Sequence, residues 1–203
     1  MGRRIVIVGN GPVRRGLAGI IDGADMVIRF NLCRSAGAGG MRTDVVAVCN
    51  TGRPALEMLA GGRWKASAPV RQAREVWCVR EAAVFAALRA PLSRSHPDLG
   101  DFCDDYTAGF EAFARGTGRQ LRVIPAAAHQ ALDASLAAFS PAPYVVPSSG
   151  LITIAHVLDS VAEAGDRVSI AGFGHEGWQW HPFAAERRWV EARIAAGRLE
   201  RLE

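Results

Sequence analysis

The sequence predicts an α/β fold, an open, mainly parallel sheet with helices on both faces. Three observations predict it. Short runs such as residues 5–8, Ile-Val-Ile-Val, are apolar at every position, as strands covered on both faces are. Stretches of helical periodicity alternate with these runs along the chain. The first two runs, 5–8 and 26–31, are joined by an apolar stretch of helical spacing, the crossover that a parallel pair requires. A chain of 203 residues suits one domain, taken as 1–203.

Taken in order, strand 5–8 ends in the turn cluster Gly9-Asn10-Gly11-Pro12. Residues 13–21 carry Val13, Leu17, Ile20 and Ile21 at helical spacing, and Asp22-Gly23 stops them. Strand 26–31 leads into the glycine-rich stretch 36–40. A third strand, 44–49, is closed by Asn50-Thr51-Gly52, and a helix over 54–60 opens with proline in its first turn. Strand 75–79, helix 82–88 stopped by Pro91, a polar surface loop over 92–105 and helix 106–115 follow. Strand 121–124 and the alanine-rich helix 126–139 come next. Pro147-Ser148-Ser149-Gly150 opens the clearest amphipathic helix, with Leu151, Ile154, Leu158 and Val161 on one stripe. Strand 168–173, an aromatic loop over 174–182 and a charged helix over 183–196 complete the chain.

Composition narrows the function. The chain is 49% hydrophobic and 22% charged, with mean hydropathy +0.08, which suits a packed core and excludes a disordered or collagen-like chain. No apolar run approaches about 18 residues, so no transmembrane segment is expected. Lys65 is the only lysine among 24 basic residues and the net charge is +4. The arginines are scattered, so no nucleic-acid partner is expected. Cys33, Cys49, Cys78 and Cys103 form no C-x-x-C pair. Neither a metal site nor a disulfide framework is indicated, and reduced thiols in the cytoplasm are the expectation.

In an open parallel sheet, ligands sit beyond the carboxyl ends of the strands. The residues expected there are Gly9, Asn10 and Gly11, then Asn31, then Asn50 and Thr51, then Ser148, Ser149 and Gly150, then His175 and His181. They are small, amide-bearing, hydroxylic or imidazole residues, suited to a phosphate or nucleotide at helix N-termini. A dinucleotide fingerprint would need a glycine where Arg14 stands and an acid at the end of the second strand, where Arg29-Phe30-Asn31 stands. A nicotinamide oxidoreductase is therefore disfavoured, and without a G-K-S/T motif a P-loop is absent. Each piece also has a bland reading: Asn31 as a turn residue, Ser148 as a helix cap, His181 as an exposed cap.

Three stretches together resemble the sialyltransferase-like (family 29-type) glycosyltransferases. They are 6–11 with 21–31 and Arg42-Thr43-Asp44-Val45; Pro147-Ser148-Ser149-Gly150 with the helix and strand after it; and His181-Pro182-Phe183-Ala184-Ala185-Glu186. They cover roughly a third of the chain, in the family's order. The resemblance implies a Rossmann-like fold variant and an inverting, metal-independent transferase. Its donor would be a CMP-activated acidic sugar, with an unknown acceptor and no bound cofactor. It implies nucleotide contacts from Asn10, Asn31, Ser148, Ser149 and Gly150, with His181 as general base. Glu186 would cap a helix or orient the imidazole, His175 would contact phosphate, and Asn50 and Thr51 would border the donor. The family's His-Tyr-Tyr-Glu motif is missing; His175-Glu176-Gly177-Trp178 stands nearest to it. The chain as a whole also resembles bacterial proteins labelled urease operon accessory proteins, most clearly over 42–54. That resemblance implies a non-catalytic nucleotide-binding role with a urease-related partner.

Overall fold

A computed structural model describes residues 2–203 of the chain. Seven strands form one sheet in the order β5-β4-β3-β2-β1-β6-β7. They are β1 (Arg4–Val8), β2 (Met26–Phe30), β3 (Val45–Val48), β4 (Glu75–Cys78), β5 (Gln120–Val123), β6 (Arg167–Ala171) and β7 (Glu200–Arg201). Every pairing is parallel, where the sequence predicted a mainly parallel sheet.

The alternation of side chains across the pleat divides the core between two faces. On one face Ile5, Ile7, Ile28 and Phe30 pack against α7 (Ala126–Ala137), α8 (Ser149–His156) and α9 (Phe183–Ala195). On the other, Val46, Val48, Val76 and Cys78 meet α2 (Gly52–Ala60), α3 (Gly62–Ala66), α4 (Ala68–Gln72) and α6 (Thr107–Gly116). Val6, Val8 and Val27 cover α1 (Ala18–Asp22) on that same side. Helices thus lie on both faces, which is why β1 to β4 are apolar runs rather than alternating ones.

Strand order decides where a ligand can sit. From β1 the chain steps outward through β2, β3, β4 and β5, then returns to lay β6 on the opposite side of β1. Connections leave β1 and β6 in opposite directions, and a crevice opens between them at their carboxyl ends. The crevice has tight walls. The Gly9 N–H donates to the Ala171 carbonyl at 2.8 Å and the Gly11 N–H to the Gly172 carbonyl at 3.0 Å. A Cβ at Gly9 would overlap the Gly172 carbonyl oxygen.

Several elements differ from the sequence reading. The helix expected over 13–21 is only α1, because Gly16 takes φ +92° and keeps the preceding turn out of helix. Pro91 does not stop its helix: α5 runs Ala82–Ser95 with Pro91 on its exposed side, where water can serve the carbonyl that the missing N–H leaves free. The expected surface loop over 92–105 is the end of α5 followed by a 3-10 helix, Pro97–Cys103, whose Phe102 is half-buried. Helices α3 and α4 and strand β7 were not foreseen, being too short to show a period. Helix α8 continues as a π turn, Val157–Val161.

Candidate functional site

Two adjoining cavities, about 430 and 380 Å³, lie beyond the carboxyl ends of the strands, and Asn31, Ser149, Trp178 and His181 line both. Gly9, Asn10, Gly11, Ser148, Gly150 and His175 border the one at the β1–β6 switch point. Thr51 borders the other. Residues near both ends of the sequence therefore share one cleft.

Hydrogen bonding separates the residues with free polar atoms from those already committed. Asn31 ends β2 in the left-handed region, φ 49°. Its Oδ1 accepts from the Cys49 N–H at 2.7 Å, which leaves the two Nδ2 donors for the cleft. Its carbonyl accepts from the Trp64 indole at 2.8 Å, so the strained turn is held from two sides. The exposed Asn10 uses its Oδ1 on the Arg34 N–H at 3.0 Å.

The twin serines differ. Ser148 is the cap of α8: its Oγ accepts from the Leu151 N–H at 3.1 Å and donates to Glu186 Oε2 at 2.7 Å. Its own N–H donates to Glu186 Oε1 at 2.7 Å. Glu186, 1% exposed, thus spends both oxygens on Ser148 and none on the His181 imidazole. Burial pushes its carboxyl above the usual range. Ser149 borders both cavities, and the N–H groups of Ser149 and Gly150 have no acceptor within the helix. Gly150 is small by necessity, since a Cβ there would come within 2.8 Å of the Phe173 ring.

His181 lies beside Trp178 and Phe183, ring centroids 4.9 and 5.4 Å away. Its Nδ1 faces the Val146 carbonyl at 2.8 Å. A carbonyl only accepts, so Nδ1 carries the hydrogen and the neutral ring keeps its lone pair on Nε2. Burial, with the charge of Arg80 adding to it, lowers the His181 pKa to about 4. His175, at φ 51°, has a buried Nε2 without a partner. Burial and the nearby Arg201 and Arg187 bring its pKa to about 4 as well.

Asn50, expected beside the donor, borders neither cavity. It is fully buried; its Nδ2 donates to the Arg80 carbonyl and to Thr107 Oγ1, both at 2.8 Å. Its amide ties the end of β3 to the end of β4 and to α6, so it serves the scaffold. His129, on α7, is buried with Nε2 donating to the Val79 carbonyl at 2.8 Å.

Arg80 and Phe102 are among the cleft residues that escaped the sequence reading. Arg80, at the end of β4, is 1% exposed and borders the larger cavity. Phe102 and Trp178 stack at 5.3 Å with planes 17° apart and close the cavity from the 3-10 helix and the aromatic loop. A strand end after Val76-Trp77-Cys78 could have drawn attention to Arg80 by the same rule that picked Asn31. Phe102 had no such signal, because its segment reads as polar.

No protein-family model matches the chain. It is 67% identical, over 201 residues, to the urease operon 23 kDa accessory protein of Rhizobium meliloti (strain 1021), a match that covers 99% of this chain and 93% of that one. The chain belongs to that protein's family. Of the two resemblances, the comparison therefore supports the urease-operon accessory one. Among the described residues, no three His, Cys, Asp or Glu side chains are grouped to hold a metal ion. No helix there is long and apolar enough to cross a membrane.

Proposed function

We propose that this urease-operon accessory family member is a nucleotide-binding protein whose cleft takes a CMP-type nucleotide and whose role is exercised through a urease-related partner. One observation carries the reading: Asn31, Ser149 and His181, far apart in sequence, border both cavities, one of which lies at the switch point of the sheet. The first turn of α8 offers backbone N–H groups and the helix dipole to a phosphate. The Asn31 Nδ2 and the Ser149 hydroxyl add neutral donors. The partner is taken from the name of the Rhizobium meliloti relative.

Isothermal titration with CMP, UMP, AMP and GMP tests this. CMP is expected to bind. Ser149→Ala and Asn31→Gly, the latter keeping the left-handed backbone, are each expected to weaken binding by roughly five- to tenfold, about one hydrogen bond. Absence of binding by any of the four at millimolar concentration would remove this reading. Co-purification of the tagged protein with urease subunits tests the partner.

The His181 geometry favours a second reading, transfer of a sugar from a CMP-sugar. An imidazole with Nδ1 fixed by a carbonyl and its lone pair on Nε2 is arranged as a general base. The incoming hydroxyl of an acceptor would give its proton to Nε2 as its oxygen bonds to the sugar carbon and CMP leaves. In that case His181→Ala abolishes turnover and leaves CMP affinity within about twofold. Affinity without turnover in the wild type leaves the accessory reading alone.

A further inference from the structure

Among the described residues two arginines are buried, and they differ in one respect. Arg29 is fully enclosed and its guanidinium is served by protein atoms: the carbonyls of Arg42, Gly39 and Gly40 at 2.8–3.0 Å and Ser35 Oγ at 3.2 Å. Arg80 is equally enclosed, yet among the described residues its side chain has only the Pro147 carbonyl, 2.6 Å from Nη2, and the neighbouring Cys49 sulfur to answer it. Its Nε is buried without a partner. Among the described residues no carboxylate forms an ion pair with it, although the charges of Glu186 and Asp133 reach it at longer range. Glu186 spends both oxygens on Ser148, and Asp133 accepts from the Tyr144 hydroxyl at 2.7 Å. A buried cation left this way is costly unless something answers its charge.

Arg80 borders the larger cavity, with Asn31, Cys49, Thr51, Phe102 and Trp178 among its other walls. Arg53 at its edge is already paired with Asp101 at 2.6 Å, so one unanswered positive charge remains. A single guanidinium matches a single carboxylate, two parallel N–H donors to two oxygens. A phosphate dianion would leave a charge uncompensated between the aromatic walls. We infer that this cavity is a carboxylate-binding subsite in which Arg80 holds the anion, distinct from the phosphate position at the switch point and independent of whether a nucleotide binds there.

Cys49 provides the reporter. Cys33, Cys78 and Cys103 are buried, whereas Cys49 is half-buried and borders this cavity. Burial pushes the Cys33 and Cys78 thiols up to about 12, which makes them slow to react. Alkylation of Cys49 in the whole protein, followed by mass spectrometry, compares iodoacetate, which carries a carboxylate, with neutral iodoacetamide. The iodoacetate-to-iodoacetamide rate ratio is expected to exceed that of glutathione by on the order of tenfold. Acetate and propionate are expected to protect Cys49, and inorganic phosphate at equal concentration to protect it less.

Arg80→Met removes the charge and keeps the length of the side chain. It is expected to abolish the preference with an unchanged or raised Tm, since an unpaired buried charge is gone; Arg80→Lys keeps most of the preference. A wild-type ratio equal to that of glutathione overturns the proposal, and so does a ratio that Arg80→Met leaves unchanged. Stronger protection by phosphate than by acetate overturns the carboxylate assignment. The wild-type ratio and its protection decide the matter should the Met variant fail to fold.

Discussion

Lowering the pH from 7.5 to 5 is expected to destabilise this protein through its buried histidines. His129 and His181 are held neutral, each with a pKa of about 4 set first by burial, against about 6.5 in an unfolded chain. The unfolded form takes up protons first as pH falls. The stability linked to each is full above about 6.5 and lost as pH falls toward about 4. By pH 5 each histidine withdraws about 2 kcal/mol, and the pair about 4 kcal/mol. That is a large part of the roughly 5–15 kcal/mol that holds a domain together. His175, less enclosed, adds a smaller loss in the same direction. Asp133 and Glu186, whose pKa values burial raises, work the other way, because the fold then binds protons more readily than the unfolded chain. The histidine share is isolated by comparison with a His129→Gln, His181→Asn double variant, which keeps a donor for each backbone carbonyl. Urea unfolding at pH 7.5, 6.5, 5.5 and 5 should show the wild type losing about 4 kcal/mol more than the double variant. Parallel pH dependences would refute the reasoning, since they would mean that the imidazoles are protonated in the fold as easily as outside it.

Other substitutions probe the scaffold of the cleft. Glu186→Ala strips both acceptors from Ser148 and should cost about 3 kcal/mol, a Tm loss of roughly 6–12 °C for a chain of this length, read by calorimetry. Arg29→Met leaves the carbonyls of Gly39, Gly40 and Arg42 without their donor; a loss of about 3 kcal/mol or more and faster amide exchange over residues 35–42 are expected, the opposite of Arg80→Met. Gly150→Ala drives a methyl against Phe173 and should cost roughly 1–3 kcal/mol, with recovery when Phe173→Leu is added; failure to recover would place the strain elsewhere.

The sheet was legible because its signal is local. Residues 5–8, 26–28 and 45–48 are apolar at every position, and that follows from helices covering both faces. The turns after those strands were legible for a similar reason: Gly9 must be small where β1 meets β6, and Asn31 tolerates a positive φ. Pro91 and residues 92–105 misled, because proline and polar residues signal breaks only on average, while an exposed helix edge accepts the one and a 3-10 helix accommodates the others.

What the sequence determined by itself is the alternation of buried strands and helices, and with it the set of small and polar residues waiting at the strand ends. Which of them remain free is a matter of distances across the fold. Ser148 is consumed by Glu186 and Asn50 by Arg80 and Thr107, while Ser149 and the Asn31 amide stay available. Only the tertiary structure could decide this, because a hydrogen bond is formed between groups that the chain brings within about 3 Å, however far apart they lie along it. The same holds for Arg80, one arginine among many in sequence and an unpaired buried cation only once β4 is placed inside the sheet.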